Sequence, residues 1–169
     1  MDINASIIDQ RLNALMDELR QRAQDELRIV EEPKLKSLAF VYLCVRTMLD
    51  VDDDTAFDCL VEGGGDFGVD ALHISDEYDG EFTVTLFQGK YEKKKLHGRS
   101  GFPATGLEKL VLAVRHLFDP ASQIQSINER LRSSVEQVRS LIRGRGPTPS
   151  PALHEPGAPH YRRSRPATT

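Results

Sequence analysis

The chain has 169 residues, of which 39% are hydrophobic and 28% charged, and its formal net charge at pH 7 is −4. This balance predicts one globular unit of domain size, and no apolar run is long enough for a membrane-spanning helix or a secretory leader. Two cysteines, Cys44 and Cys59, are too few for a disulfide framework or a zinc site. We therefore expect a cytoplasmic protein with reduced thiols.

Helices are predicted first. Apolar residues recur at steps of three and four from Ile8 to Val30, which indicates an amphipathic helix that Pro33 ends or interrupts. A second helix is predicted over residues 35–49, and its centre is apolar on nearly every side, so we expect other elements to surround it. The acidic run over residues 50–58 lacks the glycine and the final glutamate of a calcium loop. It is more typical of a helix start capped by carboxylates.

A β-hairpin is predicted next. Residues 69–74 and 81–90 are rich in β-branched and aromatic side chains, and residues 75–80 supply a polar turn. Alternate residues of a strand share a face. An antiparallel register that pairs Asp70 with Gln88 or Lys90 therefore places all three polar side chains on one face, at the open end of the hairpin.

These three groups have a chemistry in common. Mg²⁺ prefers oxygen ligands, which the Asp70 carboxylate and the Gln88 carbonyl offer, and the Lys90 ammonium can hold a phosphate or stabilise charge that develops in phosphodiester cleavage. The pattern indicates a hydrolytic metal site. A simpler interpretation stays open, in which the preceding glycines form a flexible turn, Asp70 caps a strand and Lys90 lies at a sheet edge.

The motifs also resemble a known family. The segment GGGDFGVD (residues 63–70) followed by FQGKY (residues 87–91) looks like the restriction-endonuclease-like, PD-(D/E)XK core in its Mrr-like form, where glutamine replaces the second acidic residue. More narrowly, the chain is similar to the amino-terminal region of the AIPR (abortive phage infection resistance) family over roughly residues 35–143. Further matching residues lie at 101–103 and 117–120. The resemblance implies an α/β (α+β) fold with amino-terminal helices, a central β-hairpin and two following helices.

The resemblance also implies a function. It is that of a metal-dependent endonuclease that hydrolyses DNA or RNA in phage defence, with Mg²⁺ or Mn²⁺ as cofactor. Asp70 would bind the metal, Gln88 would coordinate or orient, Lys90 would be the catalytic lysine, and Asp66 would be a further metal ligand. Because Gln88 is neutral, another carboxylate could join the site; the candidates are Glu18, Glu26, Glu62 and Asp66.

A cationic run directly follows the second strand. Its members are Lys93, Lys94, Lys95 and Arg99. They could grip the phosphates beside a scissile bond, or they could simply be solvated. Nucleic acid, with DNA before RNA, is therefore the expected partner. Whether the molecule forms a homodimer is left open by the sequence.

Two helices are predicted after the hairpin. Thr105 and Glu108 form a capping box for the first, which carries one apolar stripe and ends at Asp119 and Pro120; the stripe comprises Leu107, Leu110, Val111, Val114, Leu117 and Phe118. Ser122 and Gln125 repeat the capping pattern ahead of a last helix that runs to Arg143.

The expected organisation has three parts. They are an amino-terminal helix over residues 1–33, the restriction-endonuclease-like domain over residues 34–143, and a disordered Pro/Arg-rich tail over residues 144–169, which holds six of the nine prolines. The nuclease core that the resemblance implies needs another strand after its helix, so we expect the chain to be truncated before that strand. The alternative function is a catalytically inactive or truncated nuclease-like module that binds nucleic acid or a partner protein.

Overall fold

The structure is a computed structural model that describes residues 3–61, 67–89, 91, 104–122 and 127–144. Within these residues lie five helices and one two-stranded antiparallel sheet: α1 (Ile3–Leu27), α2 (Glu32–Leu49), α3 (Asp53–Asp58), β1 (Ala71–Ile74), β2 (Val84–Phe87), α4 (Ala104–Phe118) and α5 (Glu129–Gly144). The predicted mixture of helix and strand is confirmed, and it is compatible with the α+β class. None of these helices is long and apolar enough to cross a membrane.

The first two helices pack against each other. Pro33 stands in the first turn of α2, where its missing N–H is not needed, and the predicted interruption before it is confirmed. Leu12 and Leu15 of α1 meet Leu35 and Leu38 of α2 in one buried cluster. The predicted stripe of α1 is wrong at one end, because Val30 lies beyond the helix and is exposed.

The acidic run does begin a helix, as the sequence predicts. The Asp52 carboxylate accepts the Thr55 N–H at 2.8 Å and so caps α3. Inside α3, Phe57 is fully buried, and the guanidinium carbons of Arg22 and Arg130 lie 4.0 and 5.6 Å from the centre of its ring. The short helix is thus attached to α1 and α5 through one aromatic side chain.

The hairpin pairs Ala71 with Phe87 and Ile74 with Val84. Its strands are shorter than predicted, since the ladder spans 71–74 and 84–87 rather than 69–74 and 81–90. Side chains replace backbone acceptors at both ends: the Ser75 hydroxyl accepts the Thr83 N–H at 2.9 Å, and the Asp70 carboxylate accepts the Gly89 N–H at 2.7 Å. Such local side-chain acceptors compete with a regular ladder and end it.

A third segment extends the sheet on the other side of β1. Leu60 forms an isolated antiparallel bridge with Ala71. The Val61 N–H donates to the Asp70 carbonyl at 3.0 Å, and the Leu72 N–H donates to the Cys59 carbonyl at 2.8 Å. β1 therefore lies between this bridge and β2, with partners along both edges.

Two hydrophobic cores cover the two faces of the hairpin. Ala71 and Phe87 point towards α1, α2 and α3. Leu72, at the next position along β1, points to the other side with Ile74, Val84 and Leu86, where α4 and α5 supply Leu117, Leu131, Val135 and Val138. This is the alternation that the sequence predicts for a strand, applied to a sheet with helices packed on both faces.

The predicted start of α4 is wrong. Thr105 is the second residue of the helix, so it does not occupy the position of an amino-terminal cap. The predicted apolar stripe of α4 faces the second core along one edge only. Leu117 is buried and Leu110 partly buried against the second core, whereas Leu107, Val111, Val114 and Phe118 are exposed.

The last helix begins later than predicted, and its cap is Asn128 rather than Ser122 or Gln125. The Asn128 side chain accepts the Leu131 N–H at 2.8 Å, and its amide donates to the Val61 carbonyl at 2.6 Å. Ser122 instead contacts the His116 ring, and Gln125 lies outside the described residues. One asparagine therefore both starts α5 and attaches it to the edge of the sheet.

We predict that Arg130→Ala lowers the free energy of unfolding. The Arg130 guanidinium bonds the Glu26 carboxylate at 2.5 Å and the Leu60 carbonyl at 3.2 Å, so it connects α5 with α1 and with the sheet edge. Because the Arg130 side chain is 30% exposed, the expected loss is about 1–2 kcal/mol, measured by denaturant unfolding. Arg132→Ala, an exposed position on the same helix, is the control, and equal losses for the two variants would contradict this role.

Candidate functional site

Asp70 and Gln88 lie at the open end of the hairpin. Extending the observed register by one pair places Asp70 opposite Gln88. This is one of the two registers that the sequence predicts, and it leaves the two side chains on the same face as Leu72 and Leu86. Directly opposed residues have Cβ atoms about 4.5–5.5 Å apart. The structure therefore brings the predicted carboxylate and carboxamide together.

Asp70 is held from three directions. Its N–H donates to the Phe87 carbonyl at 2.9 Å, its carbonyl accepts the Val61 N–H at 3.0 Å, and its carboxylate oxygen Oδ2 accepts the Gly89 N–H at 2.7 Å. The last bond joins the side chain to the strand that carries Gln88. The direction of the carboxylate is consequently fixed by the backbone of β2 and the residues after it.

The side-chain oxygen of Gln88 has no hydrogen-bond partner among the described residues. This atom, Oε1, is buried. A buried acceptor left unsatisfied costs about 1–3 kcal/mol, and such groups in folded proteins call for a ligand, a water or an ion. Asp70, on the opposite strand, supplies a carboxylate on the same face, and oxygen ligands of both kinds suit a hard cation.

A left-handed turn brings the chain against this amide. Phe67 has φ 53° and Gly68 has φ 75°. A Cβ at Gly68 would lie 2.7 Å from Gln88 Nε2 and 3.3 Å from the Lys109 Cβ, so a side chain at this position would displace the Gln88 amide, and the positive φ itself favours glycine. A bulky residue such as Phe67 in this region is strained, and backbone strain is often found at functional sites. The Phe67 ring packs on His116, with 5.2 Å between ring centres.

Gly89 permits the approach of α2 from the other side. A Cβ at this position would lie 2.9 Å from Val41 Cγ2 and 3.3 Å from Phe40 Cδ1. The glycine of the FQGKY segment is thus a packing requirement, because it lets the chain next to Gln88 touch the helix.

A buried polar cluster lies just beyond Gly89. The Tyr91 hydroxyl donates to Asp9 Oδ1 at 2.5 Å, and the Lys36 ammonium is 2.6 Å from the same oxygen. Asp9 is only 8% exposed. Burial, and then the bond to Asp9, raise the pKa of Tyr91 to about 12. The cluster connects α1 and α2 to the segment after β2.

Sequence reasoning missed two residues near the site. Asp9 is the α1 carboxylate that contacts the FQGKY segment, whereas Glu26 pairs with Arg22 and Arg130. The sequence did carry a signal for Asp9, because this residue lies three positions before Leu12 and seven before Met16, in the buried stripe of α1. Lys109, whose stem lies against Gly68, had no such signal, because the rotation of α4 decides which residues face the hairpin.

Several predicted site residues lie outside the described residues. They are Asp66, Lys90, Lys93, Lys94, Lys95 and Arg99, together with Glu62. Within the part of the chain that the structure describes, no three histidine, cysteine, aspartate or glutamate side chains form a group that could hold a metal ion. Asp70 and Gln88 therefore supply an incomplete set of ligands by themselves.

An open groove of about 670 Å³ occupies the opposite end of β1. It is lined by Asp58, Cys59, His73 and Asp76, among others. Burial raises the pKa of the Cys59 thiol to about 11, so the thiol stays protonated and is a poor nucleophile near neutral pH. The groove is lined by Leu72, His73 and Ile74 of β1, and neither Asp70 nor Gln88 is among its lining residues.

Comparisons of this chain with protein-family models, with curated proteins and with solved structures give no match.

We predict that Gly89→Ala destabilises the protein. The added Cβ would meet Val41 at 2.9 Å, so α2 and the segment after β2 would have to separate. Overpacking of this kind costs about 1–3 kcal/mol, measured as the change in the free energy of unfolding. Gly144→Ala is the control, because a Cβ there meets nothing within 4 Å. A loss no larger than that of Gly144→Ala would show that α2 does not approach Gly89 this closely.

We predict that Tyr91 ionises late. Its folded pKa of about 12 exceeds its ordinary value of 10.0, so the unfolded chain loses this proton first and stability falls as the pH rises from 10 to 12. The pKa of Tyr42 is also raised to about 12, mainly by burial. Phenolate absorbance of the folded protein should therefore show a late component that shrinks in Tyr91→Phe and in Tyr42→Phe. An unchanged late component in Tyr91→Phe would exclude the buried bond to Asp9.

Proposed function

We propose that this chain carries the centre of a Mg²⁺-dependent endonuclease at the open end of the hairpin, within a restriction-endonuclease-like core. The observation that carries the proposal is the buried Gln88 Oε1, which has no partner among the described residues and belongs to the residue opposite Asp70. A carboxylate that a backbone N–H orients and a buried carbonyl oxygen on the same face suit a divalent cation.

Each described residue has a chemical task in this proposal. Asp70 supplies the negative charge, and the Gly89 N–H fixes its direction at 2.7 Å. Gln88 supplies a neutral oxygen, so Mg²⁺ should bind less tightly than in a site with two carboxylates. Asp66 is the proposed third ligand. When bound, Mg²⁺ or Mn²⁺ would polarise the phosphate and lower the pKa of an attacking water.

Cationic side chains would act on the phosphate. Lys90 follows Gln88 by two residues and is the proposed catalytic lysine, which stabilises negative charge on the phosphate as the bond breaks. Lys109 lies against Gly68 with its aliphatic stem and is exposed, so it adds positive charge near the same end of the hairpin. Lys93, Lys94, Lys95 and Arg99 are the proposed contacts to flanking phosphates, which would make binding weaker at high salt.

The proposed setting is phage defence by abortive infection, in the cytoplasm, with DNA as the first substrate to test and RNA as the second. The resemblance of GGGDFGVD and FQGKY to the AIPR family supports it. Two of the five motif glycines, Gly68 and Gly89, support it in a second way, because both are closely packed next to Asp70 and Gln88.

We predict that the chain cleaves plasmid DNA or RNA in the presence of Mg²⁺ or Mn²⁺. Asp70→Ala should abolish cleavage because it removes the charged ligand. Lys90→Ala should reduce the rate about 10²- to 10³-fold, as the loss of one preorganised charge does in other enzymes. Circular dichroism of each variant checks that the loss of activity is not a loss of folding.

Asp76→Ala is the matched control. Asp76 is an exposed carboxylate just beyond the other end of β1, and its removal should leave the rate unchanged. A folded wild-type chain that cuts neither substrate, or an Asp70→Ala variant as active as the wild type, would contradict the proposal. The first result would favour a binding module without catalysis.

A further inference from the structure

Helix α4 has one broad apolar surface. One edge of it packs in the second core and includes Ala113 and Leu117, which are buried, and Leu110, which is partly buried. The other edge follows the spacing i, i+4, i+7, i+11 and is exposed: Leu107 58%, Val111 55%, Val114 41% and Phe118 46%. We call these four residues the outer stripe. Their spacing gives a continuous ridge about three turns long.

The outer stripe exposes a contiguous row of apolar side chains, which is unusual for a helix face in contact with water. Single exposed apolar residues are common, but a contiguous row of them marks an interaction surface. The rest of α4 does not explain the row, since the second core is already closed by Ala113 and Leu117. The stripe therefore requires a partner outside this core.

Charged residues beside the outer stripe indicate which partner. Glu108 and Arg115 are seven residues apart, so they lie on the same side of the helix, next to the stripe, and both are exposed. Suppose that two copies of α4 pack antiparallel about a two-fold axis between Val111 and Val114. Measured along the helix axis, Glu108 of one copy then lies about two residues from the partner's Arg115.

The same axis also matches the apolar residues. Val111 meets the partner's Val114, and Leu107 meets the partner's Phe118. Large residues thus meet large ones at the two ends, and small ones meet at the centre. A two-fold interface requires this self-complementarity of both shape and charge, because each patch must fit its own copy.

We propose that the outer stripe of α4 binds the outer stripe of a second copy of this chain, antiparallel and about a two-fold axis. The inference goes beyond the proposed nuclease function and does not depend on it. One pair of 15-residue helices is smaller than the about 800 Å² per partner of a standard interface, so the dimer should be a weak one. Dissociation in the micromolar range is expected for such a contact.

Sedimentation velocity of the full chain over a range of micromolar concentrations tests the proposal. The wild type should shift from monomer to dimer as its concentration rises. Val111→Lys and Val114→Lys place charges at the axis and should raise the dissociation constant at least about tenfold. Leu112→Lys is the matched control, because Leu112 is 43% exposed on the same helix but lies about 100° away from Val111.

Charge reversal tests the geometry of the pairing. Glu108→Arg should weaken the dimer, since two arginines then lie together, and the double variant Glu108→Arg with Arg115→Glu should restore it. Circular dichroism checks the fold of every variant. A wild type that is monomeric at all concentrations, a dimer insensitive to Val111→Lys, or one weakened equally by Leu112→Lys would overturn the proposal. A double variant no tighter than Glu108→Arg would exclude the antiparallel arrangement.

Discussion

Packing of helices on both faces of a very small sheet is the constraint on which this structure depends. β1 and β2 have four residues each, and they separate a core formed with α1, α2 and α3 from a core formed with α4 and α5. Polar residues stand at both ends of the ladder. Ser75 and Thr83 lie at one end, and Asp70 and Gln88 lie at the other. The candidate site is this second end, where the Gln88 side-chain oxygen is buried.

The glycines that allow close packing are neighbours of the residues in the candidate site. Gly89 lets α2 approach the chain after β2, and Gly68 lets a left-handed turn approach Gln88 and α4. Because both glycines are adjacent to the Asp70–Gln88 pair, helices from both cores position the two oxygens. A site supported in this way is held more rigidly than one on an exposed loop. Buried polar groups such as Asp9, Lys36 and Tyr91 fix the neighbouring segment in the same manner.

The sequence predicts the local structure well where one principle decides it. Pro33 separates two helices and Asp52 caps a third. Side-chain alternation leaves two registers open, and one of them, Asp70 opposite Gln88, is observed. The prediction fails where tertiary contacts decide. The strands are shorter because Ser75 and Asp70 accept backbone N–H groups. Only Leu110 and Leu117 of the six residues in the predicted α4 stripe face the core, because tertiary packing sets the rotation of the helix. The unsatisfied Gln88 oxygen and the stem of Lys109 against Gly68 are likewise visible only once the chain has folded.

Binding of Mn²⁺, followed by the loss of the free-ion signal in electron paramagnetic resonance, tests most directly whether Asp70 and Gln88 hold a cation. Wild-type protein should bind the ion, Asp70→Asn should lose that binding, and Gln88→Glu should bind more tightly because it adds a negative charge opposite Asp70. Asp70→Asn keeps nearly the same shape, so its effect would report charge rather than folding. Equal binding by the wild type, Asp70→Asn and Gln88→Glu, or no binding by any of them, would contradict the account.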